Sequence, residues 1–328
     1  MTTNGGENAG PAEGRVIRFS AQDGLMLAAR VFGVHHPHRL PILCLPGLSR
    51  NSRDFITLGR YFSENPDRHR QVFALDYRGR GRSDYDRDWR NYTPLTEAYD
   101  VMAAAAALGV AEAVLVGTSR GGLIAMILGA LRPGQMAGLI LNDIGPVIEG
   151  TGLVRIKRYL TGSGAVSSWD AAEQTVRRFN SAQFPALDDD DWRAFTRAIF
   201  VEENGQIRPD FDPKLVNTVK NIDFETSIPV LWPQFDSLGD IPVLSIRGEN
   251  SDILSAETVS EMTARHHCFE QVTVPGQGHA PLLRDTMCLE RINAFALRCD
   301  KAHPWLFLTG RLPDPASDRD LPVDLPTP

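Results

Sequence analysis

The sequence predicts an α/β fold in which a mostly parallel sheet has helices on both faces. Short apolar runs typical of buried strands occur at 41–45, 72–76, 114–116, 137–141 and 241–246. Segments of helical character separate these runs along the chain, and parallel strands need such crossover connections. Strands that are apolar throughout also indicate a sheet covered on both sides.

The remaining elements fit the same pattern. Two strands, at 16–19 and 25–32, flank a turn at 22–24 and precede the first buried run. Helices are predicted between and after the buried runs, at 54–63, 94–109, 255–264 and 284–299. One late strand is predicted at 270–274. Residues 13–146 and 238–305 are therefore predicted to form the core of the fold.

Residues 147–237 interrupt the alternation of strands and helices. They contain helix-like stretches at 153–160, 169–181, 190–200 and 212–222, and no buried apolar strand. We interpret this segment as a helical insertion that lies over the sheet.

Composition and charge limit the classes of function. Apolar residues make up 42% of the chain and charged residues 23%, which is typical of a globular protein with a sizeable core. A net charge of −7 argues against nucleic acid and anionic membranes as partners. No apolar run reaches the roughly 18 residues of a membrane span.

The two ends and the cysteines point to a cytoplasmic protein. The start lacks the basic and apolar regions of a signal peptide, and residues 1–12 are predicted to be disordered. The tail at 306–328 is rich in Pro and Asp and is predicted to be disordered or loosely held. The four cysteines lie far apart in the sequence, and their spacing is typical neither of a metal site nor of a disulfide framework, which favours a reducing compartment.

The most informative motif is a sharp turn between a strand and a helix. The letters G-T-S-R-G at 117–121 follow the buried run at 114–116 and precede an apolar helical stretch. A glycine on each side lets the strand and helix backbones pass closely. In such a turn the central residue is strained and stands exposed at the carboxyl end of the strand. Ser119 is therefore the candidate nucleophile.

A serine hydroxyl needs a general base, and the base needs a third group that fixes its tautomer. Of the eight histidines, only His279 lies in a suitable frame, in G-Q-G-H directly after the late strand at 270–274. A loop at that position faces the same edge of the sheet as Ser119. His279 is therefore the candidate base.

Two aspartates fit the chain order of serine, acid and histidine. Asp252 lies in R-G-E-N-S-D after the strand at 241–246, and Asp143 follows the strand at 137–141. We favour Asp252, because the loop after the penultimate parallel strand is the usual place for this acid. Asp143 is the alternative, and Glu249 is a third candidate.

The oxyanion that develops on a substrate carbonyl needs two backbone donors. One is expected to be the amide of Arg120, directly after the nucleophile. The other is expected to be the amide of Leu48, in the loop after the strand at 41–45. Both donors are main-chain groups, so the identity of Leu48 says little. The side chain of Arg120 has two readings that are left open, recognition of a substrate carboxylate and pairing with a local acid.

Together these segments resemble the α/β-hydrolase family. The nucleophile turn, the loop D-Y-R-G-R-G-R-S, the acid loop R-G-E-N-S-D and the histidine loop G-Q-G-H occur in the family's order over about residues 15 to 300. The resemblance implies the α/β-hydrolase fold, in which the insertion at 147–237 is a helical cap over the site. Serine rather than aspartate at the turn argues against epoxide hydrolase and haloalkane dehalogenase chemistry.

These residues predict a serine hydrolase that cleaves an ester or lactone of a small, partly apolar molecule through an acyl-enzyme. No metal or other cofactor is implied. The resemblance also implies a second activity, hydrolysis of carbon–carbon bonds in aromatic ring-cleavage products. A protein of another class, a small-ligand receptor on the same fold, would bind without turnover.

Two side chains are predicted to contact the substrate. The guanidinium of Arg50 is expected to hold a substrate carboxylate. Trp232 is expected to line an apolar pocket, together with other aromatic residues of the insertion. The expected partner is a small molecule, and whether the chain forms a homodimer is left open.

Overall fold

The computed structural model describes residues 13–220, 230–303 and 306. The predicted disordered start at 1–12 lies outside these residues. So does the predicted tail at 306–328, apart from Leu306, which is buried. The central strands are β1 (Arg15–Ser20), β2 (Met26–Phe32), β3 (Ile42–Leu45), β4 (Val72–Asp76), β5 (Ala113–Thr118), β6 (Met136–Asn142), β9 (Val243–Gly248) and β10 (Phe269–Val274), with β7 (Phe200–Glu203) and β8 (Gln206–Pro209) forming a separate hairpin.

The eight central strands form one sheet in the order β1-β2-β4-β3-β5-β6-β9-β10. β1 pairs with β2 and β2 with β4 in antiparallel fashion, whereas the six strands from β4 to β10 in this order pair with their neighbours in parallel. Because parallel strands point the same way, their carboxyl ends meet at one edge of the sheet. Ser119 follows β5 at this edge, and Asp143 follows β6.

Helices cover both faces of the sheet. They are α1 (Ile56–Ser63), α2 (Pro94–Leu108), α3 (Arg120–Leu131), α4 (Gly150–Gly162), α5 (Trp169–Asn180), α6 (Asp189–Ile199), α7 (Asn217–Lys220), α8 (Trp232–Asp236), α9 (Ala256–Arg265) and α10 (Thr286–Lys301). Side chains of α2, α3, α8 and α9 share one apolar core, and those of α1 and α10 share the other. The predicted α/β fold is therefore confirmed. Among the described residues, no helix combines the length and apolar character needed to cross a bilayer.

Between β6 and β9 the chain leaves the sheet and forms α4 to α8 and the β7–β8 hairpin. The hairpin is absent from the sequence prediction, although Asn204-Gly205 is a strong turn signal and both residues have positive φ. Trp192, Phe195 and Phe200 contribute to a small core within this segment. The last of these helices, α8, packs instead against α3 of the main fold.

Candidate active site

Ser119 stands at the sharp turn between β5 and α3. Its backbone has φ 53° and ψ −117°, a conformation that residues other than glycine rarely adopt. A Cβ on Gly117 would lie 2.6 Å from the amide nitrogen of Gly122. A Cβ on Gly121 would lie 2.1 Å from the carbonyl oxygen of Leu45. Both glycines of the motif are thus required by the close approach of neighbouring backbones.

The imidazole of His279 joins Ser119 to a carboxylate. Its Nε2 lies 2.8 Å from Ser119 Oγ, and its Nδ1 lies 2.8 Å from Asp143 Oδ2. The Asp143 side chain is fully buried and that of His279 is 6% exposed, so little water competes for these contacts. In the tautomer that donates from Nδ1 to Asp143, Nε2 is free to accept the proton of Ser119.

Asp143 is held in place by donors from the loop after β9. The Gly248 amide donates to Oδ1 at 2.7 Å, and the Ser251 hydroxyl donates to Oδ2 at 2.5 Å. Asp143 also has a positive φ of 57°, so the chain leaves the direction of β6 at this residue. These hydrogen bonds fix the position of the carboxylate beside the imidazole of His279, where it can stabilise a positive charge on that ring.

The acid that the sequence favoured, Asp252, does not contact His279. Its carboxylate accepts hydrogen bonds from Nε of Arg155 at 2.7 Å and from Nη2 of the same residue at 2.8 Å. Asp252 lies four residues beyond β9, where the loop has turned toward α4, whereas Asp143 directly follows its strand. The prediction that Asp252 orients His279 is therefore wrong, and the alternative, Asp143, occupies that position. The third candidate, Glu249, accepts a hydrogen bond from the Gly276 amide at 2.8 Å.

The two candidate oxyanion donors lie in loops beside Ser119. Leu48 and Gly47 line the same cavity as Ser119, and a Cβ on Gly47 would lie 3.8 Å from that of Ser119. Arg120 is the first residue of α3, so its amide has no carbonyl one helical turn earlier to bond. The helix dipole also favours negative charge at this end. The amides of Leu48 and Arg120 thus remain the candidate donors.

The side chain of Arg120 belongs to a buried ionic network, named here the Arg80–Glu97–Arg120 network. Its Nε donates to Glu97 Oε2 at 2.5 Å and its Nη2 to the Tyr92 carbonyl at 2.9 Å. Glu97 Oε1 lies 2.9 Å from Arg80 Nη1 in an ion pair that lacks hydrogen-bond alignment. Arg80 Nε in turn donates to the carbonyl of Leu48 at 2.8 Å. The network therefore links both loops that supply the candidate oxyanion donors.

A cavity of about 110 Å³ opens beside Ser119 and His279. The inserted segment supplies part of its wall, and loops at the sheet edge supply the rest. Apolar and aromatic lining residues include Ile156, Tyr159, Phe195, Ile199 and Leu282. Burial raises the pKa of Tyr159 to about 12, so this hydroxyl is neutral at ordinary pH.

Of the two residues predicted to contact the substrate, Arg50 lies at the cavity and Trp232 does not, and carboxylate binding by Arg50 stays a prediction. Arg50 lines the cavity, and Asp54 accepts two hydrogen bonds from its guanidinium, at 2.8 and 2.5 Å. Trp232 is not among the cavity residues. It lies edge-on to Phe235, with ring centroids 5.8 Å apart, and the Arg265 guanidinium covers it at 4.3 Å. The prediction that Trp232 contacts substrate is wrong, because α8 packs on the main core and not over the site.

Sequence reasoning missed two cavity arginines, Arg155 and Arg284. Arg155 lies in α4, and its pairing with Asp252 depends on where the insertion folds back, so the sequence holds no signal for it. Arg284 lies five residues after His279, on the loop that passes the site. That closeness to a candidate base was a signal that could have been used.

Comparison with known proteins places these features in a family. Residues 42–290 match the model of the alpha/beta hydrolase family. Over 259 residues the chain is 32% identical to the 3-hydroxybutyrate-oligomer hydrolase of Cupriavidus necator, a match that covers 74% of this chain and 84% of the relative.

Two solved structures are similar over most of their length. An alpha/beta hydrolase from Novosphingobium aromaticivorans has a TM-score of 0.78 at 35% identity, covering 87% of this chain and 99% of that one. E-2-(acetamidomethylene)succinate hydrolase shares the fold, with a TM-score of 0.69 at 23% identity over 86% of this chain and 99% of that one. The family match includes Ser119, Asp143 and His279. The chain therefore belongs to the alpha/beta hydrolase family.

Proposed function

We propose that this chain is a serine hydrolase that cleaves a carboxylic ester or lactone of a small, partly apolar molecule. The observation that carries the proposal is the pair of 2.8 Å contacts from His279, one to Ser119 Oγ and one to Asp143 Oδ2. A base within reach of the alcohol, and a carboxylate that fixes the base, are what a serine nucleophile needs.

In the proposed reaction, His279 takes the proton of Ser119 while Ser119 Oγ attacks the substrate carbonyl. Asp143 stabilises the imidazolium that forms, and the amides of Leu48 and Arg120 hold the oxyanion. His279 then protonates the leaving alcohol, which leaves an acyl group on Ser119. Water, deprotonated by His279, attacks this acyl-enzyme and releases the acid.

The substrate class is inferred from the cavity and from one relative. The C. necator relative hydrolyses, by its name, oligomers of 3-hydroxybutyrate. A cavity of about 110 Å³ with Ile156, Phe195 and Ile199 in its wall suits a short alkyl chain. Esters of short hydroxy acids are therefore the first substrates to test. We further propose that the inserted segment acts as a cap through α4 and α6, because these two helices supply the wall residues.

Turnover of p-nitrophenyl acetate and butyrate tests the reaction. The wild-type chain is expected to release nitrophenol over many turnovers, and Ser119→Ala is expected to abolish this release. A single slow burst with no further turnover would indicate a receptor instead. Cleavage of vinylogous diketones without cleavage of esters would indicate a carbon–carbon hydrolase.

Asp143→Asn and Asp252→Asn are a matched pair that tests the acid. Asp143→Asn is expected to lower kcat by about 10³-fold to 10⁴-fold, because the imidazole loses the carboxylate that fixes its tautomer. Asp252→Asn is expected to lower kcat by less than about 10-fold, since its carboxylate bonds Arg155. The reverse order of effects would show that Asp143 is not the acid.

A further inference from the structure

Arg284 differs from the other arginines of the cavity in having no acidic partner among the residues that the structure describes. Arg50 is held by two hydrogen bonds to Asp54, and Arg155 by two to Asp252. Arg284 lines the same cavity but forms no hydrogen bond or ion pair with any residue that the structure describes. Among the cavity residues that the structure describes, its guanidinium is therefore the arginine side chain whose donors are still available to a ligand.

The surroundings of Arg284 favour a bound anion. Burial and the positive charge of Arg50 lower the pKa of Arg284, whereas the carboxylates of Asp54 and Asp191 raise it. The net effect is a lowered pKa, so the two carboxylates do not fully offset the burial of this cation, and a bound anion would stabilise it. The residue before it, Leu283, has a positive φ of 54°, so the backbone that carries Arg284 is held in a conformation that is costly for leucine.

We propose that Arg284 binds a carboxylate carried by the substrate, so that preferred substrates are esters with a free acid group near the scissile bond. This inference rests on the proposed esterase function and specifies its substrate class. A planar guanidinium can form two parallel charge-assisted hydrogen bonds with a carboxylate, which gives both affinity and orientation. Linear oligoesters of hydroxy acids belong to this class, because each has one carboxylate end.

Paired chromogenic substrates test the inference. The anionic member is the mono-p-nitrophenyl ester of succinate, glutarate or adipate. The neutral member replaces the free carboxylate with an isopropyl group of the same shape. For wild type, the ratio of kcat/KM for anionic over neutral substrate is expected to exceed one for at least one chain length. Arg284→Gln is expected to lower that ratio by about 10-fold to 100-fold.

Two further variants complete the design. Arg284→Lys keeps the charge but loses the fork of donors, and is expected to retain part of the preference. Arg60→Gln is the control, because Arg60 is half-exposed and paired with Glu64 on the surface, and its ratio is expected to equal that of wild type. Competitive inhibition by glutarate gives a second readout, with a Ki that Arg284→Gln raises by a similar factor.

The outcomes separate this inference from the proposed function. Ester turnover that Ser119→Ala abolishes, together with a ratio that Arg284→Gln leaves unchanged, would overturn the role of Arg284 and leave the esterase standing. Wild-type ratios of one or less at all three chain lengths would also overturn it. Turnover that survives in Ser119→Ala would overturn the proposed function itself.

Discussion

Glu97→Gln is expected to lower both stability and turnover, because Glu97 lies between two arginines of the Arg80–Glu97–Arg120 network. The side chains of Glu97 and Arg80 are fully buried, and that of Arg120 is 13% exposed. Burial lowers the pKa of Arg80, and the charge of Glu97 raises it. Glutamine has nearly the same shape but no charge, so the variant leaves two guanidinium groups close together without a counter-ion.

The size of the effect follows from the burial. Removing one partner of a buried ion pair costs about 3–5 kcal/mol. The entropy of unfolding is about 2.1 cal/mol/K per residue. A chain of 328 residues therefore has a total unfolding entropy of about 0.7 kcal/mol/K. Glu97→Gln should therefore lower Tm by about 4–7 °C in a calorimetric scan. Glu64→Gln is the control, because it breaks an exposed pair with Arg60 and should lower Tm by at most about 1 °C.

The same variant is expected to affect catalysis through the oxyanion donors. Arg80 holds the carbonyl of Leu48 at 2.8 Å, and Arg120 follows the nucleophile. Loosening one donor should lower kcat by about 10-fold, less than the roughly 100-fold or more lost when a donor is removed. KM should change little. The rates of the variant and of the wild type are compared at one temperature, 20 °C below the Tm of the variant. An unchanged Tm would refute the ionic argument. A lowered Tm with an unchanged kcat would refute the link to the donors.

Gly121→Ala is expected to abolish soluble expression or esterase activity, because its Cβ would lie 2.1 Å from a backbone carbonyl of β3. Gly134→Ala is the control, since a Cβ there meets open space, and it is expected to keep both expression and activity. Trp232→Phe is expected to lower Tm by about 1–4 °C with kcat/KM for p-nitrophenyl butyrate within about twofold of wild type, and a raised KM would place Trp232 back at the cavity. Thiol titration of the native chain with DTNB at pH 8 should show one fast cysteine, the half-buried Cys268. Reaction of a second thiol before unfolding would contradict this, since burial raises the pKa of the other three, Cys44, Cys288 and Cys299.

The fold and two of the site residues could be predicted because their signals are local in sequence. The turn around Ser119 needs glycines at fixed positions, since the strand and helix backbones nearly touch there. His279 could be found because its loop directly follows a parallel strand, and the ends of parallel strands share one edge. Neither inference required knowing how distant side chains pack.

The acid and the cavity arginines depend on contacts that no local pattern encodes. Asp143 and Asp252 both follow parallel strands, and the choice between them is made by the path of each loop. The partner of Asp252 is Arg155, which lies 97 residues earlier on α4. Trp232 was misplaced for the same reason, since its helix lies within the insertion in sequence but packs on the main core in space.

The loop after β9 does not supply the acid of the site, but its residues hold the acid, Asp143, in place. The Ser251 hydroxyl donates a hydrogen bond to Asp143 and accepts one from the amide of Leu254 at 3.0 Å. The amide of Gly248 donates to the other oxygen of Asp143. The fully buried carboxylate of Asp143 is thus held by donors from Gly248 and Ser251 as well as by its contact with His279. We therefore expect Ser251→Ala to lower kcat by about 10-fold, and an unchanged kcat would show that Gly248 and His279 alone hold Asp143.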